Sequence, residues 1–110
     1  MMPGRVVVVV LSAVCLIAAP GVSAQTRVEL GFPDIGEYKT VAADLHMHTV
    51  FSDGTVWPTA RVGEAWRNGL DLMSITDHLE YLPHKDDVIP NFNRPYEIAK
   101  PEADKTGIML

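Results

Sequence analysis

Histidines and a carboxylate lie close together in the middle of this 110-residue sequence. His46 and His48 stand two residues apart in the segment DLHMHTVFSDG, where Asp53 follows in a turn, and His78 ends the later segment GLDLMSITDH. Imidazole nitrogens together with a carboxylate oxygen suit zinc, manganese or iron. These four residues therefore indicate a metal site. The alternative is that they are ordinary hydrogen-bonded residues that bind no metal.

Two predicted strands would position these side chains. The segment KTVAADLHMH (39–48) is predicted to be a strand, and its apolar start without strict alternation is typical of a strand covered on both faces. Residues i and i+2 of a strand point to the same side, with Cα atoms about 6.5 Å apart. His46 and His48 can therefore face one pocket. The segment LDLMSIT (70–76) is the second predicted strand, and it ends at Asp77 and His78.

A helix is predicted between the two strands. It starts near Pro58, because the fixed φ of proline suits a first helical turn, and it stops at Asn68-Gly69. Val62, Ala65 and Trp66 share one face of it. The order strand, helix, strand predicts a βαβ unit with parallel strands. Because parallel strands end at the same edge of a sheet, the histidines are expected to converge there, and that joint placement favours the metal site.

The second half of the sequence continues the pattern. We expect a polar loop over 79–94, then a helix within 95–105 that is interrupted or restarted at Pro101. The ending GIML (107–110) reads as a strand that has only begun, with its apolar residues exposed. We therefore expect the sequence to be the front part of a longer protein.

Four further residues are candidates for supporting roles. Metal-bound histidines usually donate their second ring N–H to a carboxylate or carbonyl. Asp44 and Asp77 are predicted to be such carboxylates. His84 and Arg94 are candidates for substrate contact, Arg94 as a bidentate partner of a phosphate. The alternative for both is a solvent-exposed side chain.

The sequence begins like a signal peptide, predicted over residues 1–24. Arg5 precedes the apolar run 6–19, and small residues lead to a predicted cleavage after Ala24. The run is shorter than the ~20 residues of a membrane-spanning helix. A membrane anchor is the alternative. We expect export to the periplasm or outside the cell, with no stable membrane insertion after cleavage. The one cysteine, Cys15, lies in this leader, so no disulfide is expected in the rest.

The net charge of the sequence limits the classes of molecule that it is expected to bind. The sequence has 14 acidic against 9 basic residues, a formal net charge of −5, so electrostatic binding of nucleic acid is not expected.

Residues 25–38 hold glycines and a proline among charges and are predicted to be an irregular lead-in. Residues 39–110 are predicted to be the folded part.

The two segments DLHMHTVFSDG and GLDLMSITDH resemble, in residues and spacing, the opening of a PHP domain (polymerase and histidinol phosphatase superfamily). The resemblance implies an α/β fold, the start of a distorted (β/α)7 TIM-like barrel. This sequence is expected to be truncated in or near the third strand of that barrel. It implies two or three divalent transition metals (Zn, Mn or Fe) at the carboxyl ends of the strands. His46, His48 and His78 match ligand positions, and Asp53 matches a position that is a ligand in some members.

The activity that the resemblance implies is hydrolysis of small-molecule phosphoesters, as a phosphatase or phosphodiesterase, through a metal-activated water. Family members draw further ligands from a later glutamate, later histidines and an Asp-x-His pair, which this sequence lacks. The alternatives are therefore a non-catalytic metal- or ligand-binding module, or an inactive fragment of the enzyme. Amidohydrolase-type barrels also begin with His-x-His, but the SDG and TDH blocks favour PHP. The leader argues against cytoplasmic roles, so we expect extracytoplasmic scavenging of phosphoesters.

Overall fold

A computed structural model describes residues 25–110 of the chain. The predicted signal peptide, with Cys15, lies outside the described residues. The helices and strands follow the order β1 (Ala43–Met47), α1 (Pro58–Arg67), β2 (Leu72–Ile75) and α2 (Arg94–Thr106). No helix among the described residues is long and apolar enough to cross a membrane.

The two strands pair in parallel, which confirms the predicted βαβ unit. Between the pairs Asp44–Met73 and Met47–Ile75, β1 advances by one residue more than β2, so the ladder has an irregularity next to the histidines. On the other side of β2, Met109 forms a single parallel bridge to Leu72. The ending therefore makes a second parallel contact with β2, where the third strand was predicted.

The first helix forms where the sequence predicts it, because its start and stop signals are local. Pro58 occupies the first turn, and Asn68 caps the last turn with its backbone N–H. Gly69 follows with φ +82°, and a Cβ there would lie 2.5 Å from the carbonyl oxygen of Val28. Only glycine fits this turn without strain.

The core lies between the two helices and β2. Its fully buried apolar residues come from every layer of the unit, and they are Val62, Ala65, Met73, Ala99, Ala103 and Ile108. The predicted apolar face of α1 is confirmed, since Trp66 also packs against this cluster. The core holds α1 and α2 against the sheet and so fixes where the carboxyl ends of the strands lie relative to the helices.

The first strand is shorter and more exposed than predicted. Residues 39–42 precede it, because the side chain of Asp34 holds Thr40 in the lead-in turn through a 3.0 Å hydrogen bond. The prediction of a strand covered on both faces is wrong: Val41 is 46% and Leu45 is 64% exposed. Among the described residues, β1 pairs only with β2 and no layer covers its outer face.

Two predictions for the second half are also corrected. The helix α2 runs continuously through Pro101, although proline cannot donate the usual backbone hydrogen bond. Ala99 and Ala103, on either side of it, are both fully buried, and this packing holds the helix together. Ile108 is buried rather than exposed, because it closes the core beneath α2.

The lead-in is irregular but attached. It contains a short turn closed by the bridge between Ile35 and Tyr38. The backbone N–H of Val28 donates to the carbonyl of Arg67 at 2.9 Å, and Arg27 pairs with Asp71 at 2.5 Å. These contacts tie the lead-in to the end of α1, at the edge of the sheet away from the histidines.

Candidate metal centre

The parallel strands bring two distant segments of the chain to one edge of the sheet. His46 lies in β1 and His48 directly after it, while His78 follows β2. The backbone N–H of Thr76 donates to the carbonyl of Met47 at 2.7 Å, so the two strand ends are joined. The histidines therefore meet because the strands run the same way.

The three imidazole rings form a continuous set. The Nε2 atoms of His46 and His48 lie 2.9 Å apart, so both rings face the same side, as the strand period predicts. Ring centroids are 4.8 Å apart for His46 and His48, and 4.6 Å apart for His48 and His78. The side chain of His48, in the middle, is only 19% exposed.

Asp53 connects two of these rings. Its Oδ1 lies 2.6 Å from Nδ1 of His48, and its Oδ2 lies 3.7 Å from Nε2 of His78. The hydrogen bond from His48 is the largest cause that lowers the pKa of Asp53. The ligand atoms of His48, Asp53 and His78 all lie within 4.8 Å of one another. His46 lies outside this group of three but touches it through His48.

The hydrogen bonds determine which ring nitrogens are free. A carboxylate only accepts, so Nδ1 of His48 carries a proton towards Asp53, and in the neutral ring its Nε2 keeps a lone pair. Nδ1 of His78 lies 3.1 Å from Oε1 of Glu80, so by the same reasoning Nε2 of His78 keeps its lone pair. Two imidazole lone pairs and a carboxylate thus lie in one group, and the lone pair on Nε2 of His48 also lies 2.9 Å from Nε2 of His46.

This donor set fits a divalent cation. Donor atoms around a tetrahedral zinc lie about 3.4 Å apart, given bond lengths of about 2.1 Å. The observed separations between donor atoms are at most 4.8 Å, and rotation of these partly exposed side chains would shorten them. That these residues bind metal stays a prediction.

The loop that carries Asp53 is tightly folded. Thr49 and Ser52 are fully buried, although both are polar. A Cβ on Gly54 would lie 2.5 Å from the carbonyl carbon of His48, so the loop returns directly onto the end of β1. Glycine is required there because it allows this close approach.

The two predicted supporting carboxylates do not contact the rings. Asp44 accepts a hydrogen bond from the backbone N–H of His46 at 3.0 Å. Asp77 accepts from the backbone and hydroxyl of Thr49 and from the hydroxyl of Ser52. Neither makes a hydrogen bond to an imidazole within residues 25–110. Both are used to shape the backbone around the ligands.

Two residues that sequence reasoning missed do support the site. Glu80 is the carboxylate that pairs with His78, and its position two residues after the histidine was the available signal. Arg61, on α1, donates from Nε to the carbonyl of His48 at 3.0 Å. No local pattern could have indicated that contact, because it depends on how α1 packs beside β1.

His84 and Arg94 are not part of the donor group. His84 lies in the turn after β2, and its Nε2 is buried without a hydrogen-bond partner among the described residues. Arg94 pairs with Glu97 at 3.2 Å and lines a cavity of about 400 Å³ beside Phe51 and Trp57. Contact of either residue with substrate stays a prediction.

Comparison with known proteins gives one clear similarity. No protein-family model matches the chain, and no curated protein matches it. Among solved structures, it is similar to a two-domain protein from Bacteroides vulgatus described as containing a predicted PHP-like metal-dependent phosphoesterase. The identity is 53%, the TM-score is 0.75, and the match covers 77% of this chain and 25% of that one.

The predicted PHP resemblance is confirmed. The chain matches the N-terminal portion of the PHP-like protein and spans a quarter of its length. Its parallel strand pair and two helices are consistent with part of a PHP-type α/β fold. The similarity supports metal-dependent phosphoester chemistry at the level of the family and favours PHP over the amidohydrolase alternative.

Proposed function

We propose that this chain provides the first ligands of the metal centre in an exported PHP-type phosphoesterase that hydrolyses small-molecule phosphoesters. The observation that carries the proposal is the group His48, Asp53 and His78, with ligand atoms within 4.8 Å of one another, in a chain 53% identical to a PHP-like protein. Because the chain spans a quarter of that protein, the activity of the whole protein is part of the proposal.

The proposal assigns metal ligation and substrate contact to different residues of the chain. His46, His48 and His78 offer nitrogen and Asp53 offers oxygen to two or three divalent ions of zinc, manganese or iron. Bound ions would lower the pKa of water towards ~7 and neutralise charge that develops on a phosphoryl oxygen. Arg94 and His84, both after the carboxyl end of β2, are the proposed substrate contacts.

The proposal also covers the fold of the whole protein. The parallel strands with a connecting helix, and the parallel bridge of Met109 to Leu72, follow the repeating pattern of a β/α barrel. We propose the distorted (β/α)7 barrel of PHP proteins. The predicted leader, residues 1–24, supports export and therefore an extracytoplasmic substrate.

The test is hydrolysis by the full-length gene product after reconstitution with Zn²⁺, Mn²⁺ or Fe²⁺. p-Nitrophenyl phosphate reports monoesterase activity, bis(p-nitrophenyl) phosphate reports diesterase activity, and a panel of natural phosphoesters follows. We expect metal-dependent turnover that the variant His48→Ala loses. Stoichiometric metal without turnover of any phosphoester would instead establish the non-catalytic module.

A further inference from the structure

Asp77 makes the densest set of hydrogen bonds near the metal centre. Its Oδ1 accepts from the backbone N–H of Thr49 at 2.6 Å and from the hydroxyl of Ser52 at 2.7 Å. Its Oδ2 accepts from the hydroxyl of Thr49 at 2.6 Å. All three bonds cross from the end of β2 to the loop after β1, over 25 to 28 residues of sequence.

The partners of Asp77 adjoin the proposed ligands on both sides. Thr49 directly follows His48, Ser52 directly precedes Asp53, and Asp77 itself directly precedes His78. The hydroxyl of Ser52 also lies 3.4 Å from Oδ1 of Asp53. The same carboxylate is therefore bonded next to every ligand of the group of three.

We propose that Asp77 is a positioning residue of the metal centre, which sets the distance of Asp53 and His48 from His78 by holding the loop Thr49–Gly54. This inference rests on the proposed metal centre but assigns a role to a residue outside the donor set. Bonds to a charged carboxylate are short and roughly twice as strong as neutral ones. Thr49 and Ser52 are fully buried, so no water replaces the carboxylate at low cost.

A positioning role predicts a particular order of variants. In Asp77→Asn, the amide oxygen can still accept from the Thr49 N–H, and the amide nitrogen can donate to the Thr49 hydroxyl, which rotates to accept. Asp77→Ala removes the acceptor of both Thr49 donors and leaves the Ser52 hydroxyl only its longer contact, 3.4 Å, to Asp53. We therefore expect Co²⁺ affinity to fall about 10- to 100-fold in Asp77→Ala, the range for residues that orient metal ligands, and by less than about tenfold in Asp77→Asn.

The control is Asp71, at the opposite end of β2. Its carboxylate likewise joins two segments, through the backbone N–H of Ala42 at 3.0 Å and through Arg27 at 2.5 Å. Asp71→Ala should lower stability without changing Co²⁺ affinity of the folded chain. Equal loss of affinity in Asp71→Ala and Asp77→Ala would overturn the proposal, because stability alone would then explain both.

The experiment titrates the full chain with Co²⁺ and follows its visible absorption, at a temperature where circular dichroism shows each variant folded. If Asp77→Ala does not fold, Ser52→Ala and Thr49→Val remove one hydroxyl each, and each should weaken Co²⁺ binding. Affinity unchanged in both would overturn the proposal, as would Asp77→Asn binding as poorly as Asp77→Ala.

A readout without metal separates this inference from the proposed function. In the metal-free chain, the Nδ1 proton of His48 that is bonded to Asp53 should give a downfield NMR signal. We expect Asp77→Ala to lose that signal and Asp71→Ala to retain it. Retention in Asp77→Ala overturns the positioning role. A wild-type chain that shows the signal but binds no Co²⁺ overturns the metal centre, while loss of the signal in Asp77→Ala would still support control of the loop by Asp77.

Discussion

Replacing His48 with alanine should remove the stabilisation that a divalent metal gives to this chain. His48 is the middle member of the ring set, since it contacts His46 at 2.9 Å and Asp53 at 2.6 Å. Its removal leaves Asp53 and His78 as the remaining pair of the group. Without metal, loss of the hydrogen bond between His48 and Asp53 should lower the free energy of unfolding only slightly, because Asp53 is solvent-exposed and water can replace the lost partner.

With metal, the difference between wild type and variant should grow. A ligand at a hundred times its Kd stabilises the folded state by about 2.7 kcal/mol. For a domain of this size, about 1 kcal/mol corresponds to roughly 4–8 °C in Tm, so saturating Zn²⁺ should raise the wild-type Tm by at least ~10 °C. The same Zn²⁺ should raise the Tm of His48→Ala by far less.

The assay is thermal unfolding followed by circular dichroism, with and without Zn²⁺, on both chains. His84→Ala is the matched control, because it removes a histidine that lies outside the donor group, and it should keep the full metal-dependent rise. Equal rises in wild type and His48→Ala would refute the site, and a rise lost equally in His84→Ala would show that binding is not specific to the group.

Three further results are expected. Gly54→Ala places a Cβ 2.5 Å from the backbone of His48, so urea unfolding should show a free energy of unfolding lower by about 1–3 kcal/mol, and metal titration should show a weaker affinity. Gly31→Ala, with nothing within 4 Å of the added Cβ, should change neither quantity. A Gly54→Ala variant with unchanged stability and affinity would contradict the tight loop. The backbone N–H of Ala42, followed by Arg27, lowers the pKa of Asp71. The stability difference between wild type and Asp71→Asn should therefore be present above about pH 4 and shrink as the pH falls through the folded-state pKa. A difference that grows as the pH falls would contradict this sign. Mass spectrometry of the exported protein should find Gln25 as the first residue, and an intact leader on a membrane-bound protein would favour an anchor instead.

The local part of this structure could be predicted because its signals are local. Pro58 and the Asn68-Gly69 pair define α1 through backbone preferences of neighbouring residues. The two-residue period of a strand places His46 and His48 on the same side. A strand, helix and strand in succession favour a parallel pair, which brings His78 to the same edge.

The rest depended on contacts between distant segments. Asp77 was predicted to serve His78 because the two are adjacent in sequence, but its partners Thr49 and Ser52 lie 28 and 25 residues away. No period or turn signal encodes such a pairing. Pro101 shows the same limitation in a helix: its local preference predicted an interruption, and burial of the alanines on either side of it outweighed that preference.

Metal binding and hydrolysis are separable questions for this chain, and the structure indicates which should be answered first. The donor group comes entirely from residues 48–78, which one βαβ unit supplies, and the carboxylate of Asp77 joins its two halves without help from any later element. Binding can therefore be measured on this chain. Hydrolysis requires a site that holds substrate against the metal, and Arg94, the proposed phosphate partner, here pairs with Glu97. A chain that binds metal through His48 but turns over no ester would thus support the group of three as a metal site and place the missing chemistry in the family's later ligands or in substrate contact.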